Sequence, residues 1–489
     1  MFDPVSTPDV QALVYASFAQ LRHCRYLLLR IQDPAAARRW LRQDAVMGLL
    51  KARGQLGRET AQDEALAVAF THTGLLRLGL QEDADFPFPS AFREGMNQPD
   101  RARALADANV ETWRWGDLPG EQRQDVHLLL AHFRRTPFDE QGPLSAPALQ
   151  AGGLELVQSV PTCPAFIERN EDTKESRLFE PFGFRDGLTQ PVLHSTAERS
   201  RRLQQRREID REMADDSVVA DGEFVLGLPN EYGDLSYAPD DARWPSAGAS
   251  ANAPPHFGSH GSYLVVRHIR QHVDRFEAFD AAHPPPREGA PSLTEQMVGR
   301  RKDGAPLVQQ PMPPADLDGF RFRVNDAEGF QCPLGSHIRR ANPRDTLGSD
   351  VRSGVANAKL HRLIRRGRVY AGECQQADHG ACGHADGRRG CGKGLFFIAL
   401  NADLDRQFEF VQQRWIAHPQ FADLDNESDP LLGGRGEAAF SVQSPTAGTR
   451  TTGLPAFTEL VGGGYFFLPG LAALRFLAET EPAPGPPAQ

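Results

Sequence analysis

Short apolar runs alternate with helical patterns through both halves of the chain. YLLLRI at 26–31 is followed by DPAAARRWL, and ALAVAFTHTGLLRLGL at 65–80 again reads strand, turn, helix. DVHLLLAHF at 125–133 and LELVQSV at 154–160 supply two further strands for the first half. In the second half SYLVVRHIRQHVDRF at 262–276 runs from strand into helix, and GLFFIALNADLDRQFEFVQQRW at 394–415 does so once more. Uneven spacing and the lack of a dinucleotide glycine fingerprint point to an α+β class with split βαβ units of the ferredoxin-like kind, one in each half. Between them AERSRRLQQRREIDREMADDSV at 197–218 is dense in charge and poor in large apolar residues, as an exposed helix or linker is. The boundary is expected near its end, giving units 1–216 and 217–480. Proline and glycine crowd 281–315 and the tail 481–489, so these are expected to be loop and disordered terminus.

Composition narrows the classes. The chain has 489 residues, long enough for two cores and a large ligand. Its formal charge of −10 argues against a nucleic-acid partner. Lysine is confined to Lys51, Lys174, Lys302, Lys359 and Lys393, so arginine carries nearly all the positive charge and any single arginine is weak evidence for a site. No apolar run reaches the roughly 18 residues of a membrane span, and MFDPVSTPDVQALVYASF lacks the layout of a signal peptide. A cytoplasmic location with no membrane partner is the default expectation. Cys24, Cys163, Cys332, Cys374, Cys382 and Cys391 are too thinly spread for a disulfide framework.

Three segments carry candidate chemistry. In CPLGSHIRRANPRD at 332–345 a lone histidine, His337, sits among arginines, a candidate metal ligand for a cofactor of negative charge. In EPFGFRDGLTQP at 180–191 Gly183 and Gly187 bracket Asp186, allowing tight turns and close approach of the backbone to a ligand, with the carboxylate as acid or base. In LHRLIRRGRVYAG at 360–372 Arg365 is followed by a glycine and then Tyr370. Taken singly, these features fit a structural histidine, an Asx-type turn and a surface ion pair equally well.

Taken together, the three resemble the dye-decolorizing peroxidase family, in its longer bacterial branch. GEFVLGLPNEYGD at 222–234, HGSYLVVRHIRQHVDRF at 260–276, FFIALNADLDRQFEFVQQRW at 396–415 and YFFLPGLAALRFLA at 465–478 are similar to that family in the same order. The likeness runs from about residue 25 to about residue 478. It implies two ferredoxin-like domains of the dimeric α+β barrel type, with haem b (iron protoporphyrin IX) held mainly by the second. The implied activity is hydrogen peroxide reduction coupled to oxidation of phenolic or dye-like donors, or of metal ions, with homo-oligomerisation left open. His337 matches the proximal haem ligand, Asp186 the distal aspartate and Arg365 the distal arginine. A carboxylate of ALNADLD would accept from His337, Asp403 being favoured over Asp405. Arg339 is the first candidate to face the haem propionates, because a guanidinium pairs bidentately with a carboxylate. Tyr370 and Trp415 are candidates for an electron relay, against the alternative of core packing.

ECQQADHGACGHADGRRGCGKG at 373–394 departs from the family pattern. Its cysteines and histidines fit no standard zinc spacing, and an exposed loop is the competing reading. Two rivals follow. One is a haem-handling protein for porphyrin binding, storage or iron release, which needs only His337 and an apolar cavity. The other is a haem-free, zinc-stabilised interaction module built on this loop.

Overall fold

A computed structural model describes residues 9–480 apart from 53–62, 108–109, 121–122, 140, 170–175, 197–215, 246–253, 309–316, 372–391 and 435–437. The first unit runs β1 (His23–Ile31), α1 (Pro34–Leu41), β2 (Glu64–Phe70), β3 (Leu128–Arg134), α2 (Ala146–Ala151) and β4 (Leu154–Pro161). Its strands lie in the order β4-β1-β3-β2, every neighbour antiparallel. The second repeats the plan with β5 (Ser262–Gln271), α3 (Val273–Ala282), the short strands β6 (Ile364–Arg365) and β7 (Arg368–Ala371), β8 (Lys393–Asn401) and β9 (Thr458–Leu468). Here the order is β9-β5-β8, with β6 and β7 both on the outer edge of β8. Both units are therefore ferredoxin-like.

Local sequence explains the elements. Asp33 caps α1 by accepting from the amides of Ala35 and Ala36 at 2.9 and 3.0 Å, and Pro34 takes the first helical position, where no amide is needed. Thr71 caps the helix after β2 through Gly74 N–H. The proline-rich stretch expected to be loop contains a helix, Leu293–Val298, closed by a capping box between Ser292 and Glu295. That S-x-x-E signature was readable in the sequence.

The two sheets meet at both edges. Phe467 of β9 pairs with Phe70 of β2 on one side. On the other, Thr162 just after β4 bridges Tyr370 of β7, and Cys163 N–H donates to Val369 O at 3.0 Å. One strand face points inward, where Tyr26, Leu28, Phe133, Val266, Phe396 and Phe466 pack in a single cluster. The other face, with Leu27, Leu29, Val68, Tyr263 and Phe467, packs against helices through Trp40 and Leu474. Burial on both faces is why these strands read as unbroken apolar runs instead of alternating ones. Among the described residues no helix is long and apolar enough to cross a membrane.

Candidate functional site

A cavity of about 670 Å³ opens beside the second sheet, and His337, Asp186 and Arg365 all border it. Three segments far apart in sequence converge there.

The turn at 180–191 is built by its glycines and by Glu180. Gly183 and Gly187 adopt φ of 90° and 77°, a region costly for residues with a Cβ. The Glu180 carboxylate accepts from Phe182 N–H at 3.0 Å and Phe184 N–H at 2.8 Å, which staples the turn. Burial pushes this carboxyl up to about 7, even though Gln271 and both amides favour its charged form. Asp186 then emerges on a two-residue strand paired with Ser176–Phe179. Its Oδ1 accepts from Gly187 N–H at 2.6 Å and lies 3.8 Å from Arg365 Nη2. Arg365, on β6, is locked to the same turn: Nη2 donates to Leu188 O at 2.6 Å, and its amide donates to Gln190 Oε1 at 3.0 Å.

His337 opens the helix α4 (His337–Ala341). Its Nδ1 lies 2.9 Å from Oδ2 of Asp429, whose side chain is fully buried. Asp429 Oδ1 accepts from the amides of Leu431 and Leu432 at 2.9 and 2.8 Å. Burial alone would raise this carboxyl, but His337 and Arg340 outweigh it and hold it below the usual carboxylate range. An ionised carboxylate only accepts, so the proton sits on Nδ1 and Nε2 keeps its lone pair for a metal.

Two expected positions are corrected. Asp403 does not accept from His337: its Oδ1 takes Arg406 N–H at 3.0 Å at the start of the π-helical stretch Asp405–Glu409, its side chain is 46% exposed, and it lies outside the residues bordering the cavity. It serves as a helix cap. Asp405, the second choice, is 58% exposed and 3.5 Å from Arg101. Arg339 does not face the cavity either. It is 2% exposed, donates to Asp326 Oδ2, Cys332 O, Asp326 O and Ala327 O, and lies over the Phe322 ring. Two positions along a helix from His337, it points to the far side of the axis. The cavity is instead bordered by Arg344 and Arg362, both missed in the sequence. Burial lowers each to about 10, helped by Arg300 at Arg344 and by Arg344 and Arg365 at Arg362, and both stay cationic at neutral pH.

Tyr370 is buried on the seam between the sheets, edge-on to His268 at 4.6 Å, and burial pushes it up to about 12. Trp415 packs edge-on to His361 at 5.1 Å and to Phe410 at 5.5 Å. The cysteines and histidines of 374–391 lie outside the described residues.

Residues 243–432 match the family model for the Dyp-type peroxidase C-terminal region. The multifunctional dye peroxidase DyP2 of Amycolatopsis sp. is 28% identical over 480 residues, covering 92% of this chain and 91% of its own. Over nearly its whole length the chain is similar to the dye-decolorizing peroxidases. An ancestral D-type dye decolorizing peroxidase shares the fold with a TM-score of 0.70 at 22% identity, over 98% of this chain and 100% of its own. A dye-decolorizing peroxidase in complex with 2,6-dimethoxyphenol does so at 0.69 and 19%, over 97% of this chain and 99% of its own. Within the site, the partner of His337 was the residue least accessible to sequence reasoning. Asp429 sits in a loop, NESDPLLGG, with no spacing that links it to the histidine.

Proposed function

We propose that this chain is a haem b peroxidase that reduces hydrogen peroxide and takes electrons from phenolic, dye-like or other small one-electron donors. One observation carries the reading: a single cavity is bordered by a histidine with a buried carboxylate behind it and by a carboxylate tied to a guanidinium.

The residues present fit haem. The volume lies within the roughly 300–1,000 Å³ of small-molecule and cofactor sites. Phe184, Leu395, Phe397 and Ile416 give the cavity an apolar lining. Arg344 and Arg362 border it with Asp318 as their nearby countercharge, an excess of positive charge that a dianionic cofactor edge would offset. His337 Nε2 would hold the iron, with Asp429 strengthening its donation. Bound there, haem supplies the iron that binds peroxide and accepts its oxidising equivalents.

The chain's own groups do the rest. Asp186 takes the proton from one peroxide oxygen and returns it to the other, a positioned transfer of the kind that gives about 10² to 10⁴-fold. Arg365 is fixed by Leu188 and Gln190, so its charge stabilises the departing oxygen without reorganising. A passive haem carrier needs His337 and the cavity but no such pair, and this favours the enzyme over the haem-handling reading. The division at 216/217 is retained: Asp186 then belongs to the first unit and His337, Arg365 and Asp429 to the second.

Stopped-flow absorbance of the haem-loaded protein mixed with peroxide tests this beside Asp186→Asn, Arg365→Leu and His337→Ala. A fast spectral change in wild type, slowed by about 10² or more in Asp186→Asn, is expected, with haem loss in His337→Ala. Bound haem that does not respond to peroxide in wild type would refute the proposal.

A further inference from the structure

Peroxide reduction consumes protons that Asp186 does not supply. The balance is H₂O₂ + 2 H⁺ + 2 e⁻ → 2 H₂O, and Asp186 takes one proton only to give it back. A phenol brings a proton with each electron, since ArOH yields ArO•, e⁻ and H⁺. A donor without an acidic hydrogen brings none, so the cavity needs its own source.

Resting on the peroxidase reading, we propose that Glu180, held by Gln271 at the cavity wall, is a second proton-supplying group, feeding the cavity beside Asp186. Glu180 and Gln271 both border the cavity. Gln271, at the end of β5, donates from Nε2 to Glu180 Oε2 at 2.7 Å, and the Phe182 and Phe184 amides complete three donors. This shell suits the ionised carboxylate. The other half of the Gln271 amide suits the neutral form: Oε1 is buried without a partner, and rotation of the amide offers it to a Glu180 O–H. A carboxyl whose neighbour can donate in one orientation and accept in the other is served in both protonation states.

Energetics agree. Burial, with the Asp186 charge adding to it, places the Glu180 carboxyl at about 7, so it exchanges protons near neutral pH. Other charged groups border the same cavity: Asp186 and Arg185 on its own turn, Arg267 and His272 from β5 and its end, Arg300 after the helix Leu293–Val298, and Glu459 from β9. His272 is lowered, by burial first and then by Arg275.

The test uses haem-loaded protein with peroxide and two donors, hexacyanoferrate(II), which carries no proton between pH 6 and 8, and 2,6-dimethoxyphenol, which does. A group titrating near 7 loses roughly tenfold in protonated fraction across that range. Wild-type turnover with hexacyanoferrate(II), relative to the phenol, is expected to fall by about that factor as pH rises, and Glu180→Gln is expected to lose this limb. Gln271→Leu, off the Asp186 turn, removes the charge-assisted bond to the ionised form, which is stronger than the bond to the neutral form, so the limb should move to higher pH. A limb that survives in Glu180→Gln, or that Gln271→Leu leaves in place, overturns the proposal, because Glu180 would then only staple the turn. Wild type that consumes no peroxide with either donor overturns the peroxidase reading and this proposal with it.

Discussion

Replacing Asp429 by asparagine keeps the shape of the side chain and reverses its hydrogen bonding. The amide oxygen can still accept from Leu431 and Leu432, which sit on Oδ1, so the loop keeps its fold. The amide nitrogen then faces His337 Nδ1 across 2.9 Å and donates to it. His337 must move its proton to Nε2, and a protonated nitrogen cannot bind iron. Losing a buried charge-assisted bond of this kind is worth about 1.5–3 kcal/mol. Removing a carboxylate behind a metal-binding histidine typically lowers metal affinity by about 10 to 100-fold, or roughly 1.4–2.7 kcal/mol. The two routes agree, so haem affinity should fall by one to two orders of magnitude. Titration of apoprotein with haem, followed at the Soret band, measures it, and thermal unfolding of the apoprotein checks that the fold is kept. An affinity within about twofold of wild type in a folded Asp429→Asn protein would refute the assignment of Asp429 and, with it, the geometry claimed for His337.

Two further predictions concern stability. His268 is buried between Tyr370 and Phe396, and burial, aided by Arg114 and Arg270, lowers it to about 3. The unfolded chain takes up this proton near 6.5, so its share of stability is full above that pH and is lost as pH falls from there toward 3. Urea melts should show wild type losing about 2 kcal/mol more than His268→Gln between pH 6 and 4.5, and equal losses would contradict the burial argument. Arg339→Ala should cost about 3–5 kcal/mol by leaving the buried Asp326 carboxylate without its cation, with the Gln331 and Cys332 amides among its remaining donors, while haem affinity of the folded fraction stays within about twofold; selective loss of haem affinity would restore the propionate role that the structure removes.

Much of the architecture was legible because its strands are short, apolar and followed by capped helices. Asp33 before Pro34 and Thr71 before His72 announce their helices in the sequence. The turn that carries Asp186 was legible as well, since Gly183 and Gly187 adopt the left-handed backbone their spacing suggests. What failed was side-chain direction and long-range partnership. Arg339 and Arg344 stand in one arginine-rich segment, yet the first is turned into the core and the second to the cavity, a choice made by the helix phase and by Asp326 and Asp318. Asp429 became the partner of His337 only because the loop that carries it folds back against α4, where Arg340 also donates to Glu427 O, and no local pattern encodes that. The helix at Leu293–Val298 was masked by the prolines around it, although its capping box stood in plain view.

The seam between Thr162 and Tyr370 bears on the order of assembly. Each unit's sheet can form from its own half of the chain, whereas the seam and the cavity join distant positions, and such contacts form slowly for topological reasons. Asp186 and His337 come together only after both halves have docked. Completion of the cavity therefore reports completed folding. A chain cut between the halves should leave haem binding, through His337, to the second fragment alone, and mixing the fragments should restore a response to peroxide only as fast as they dock.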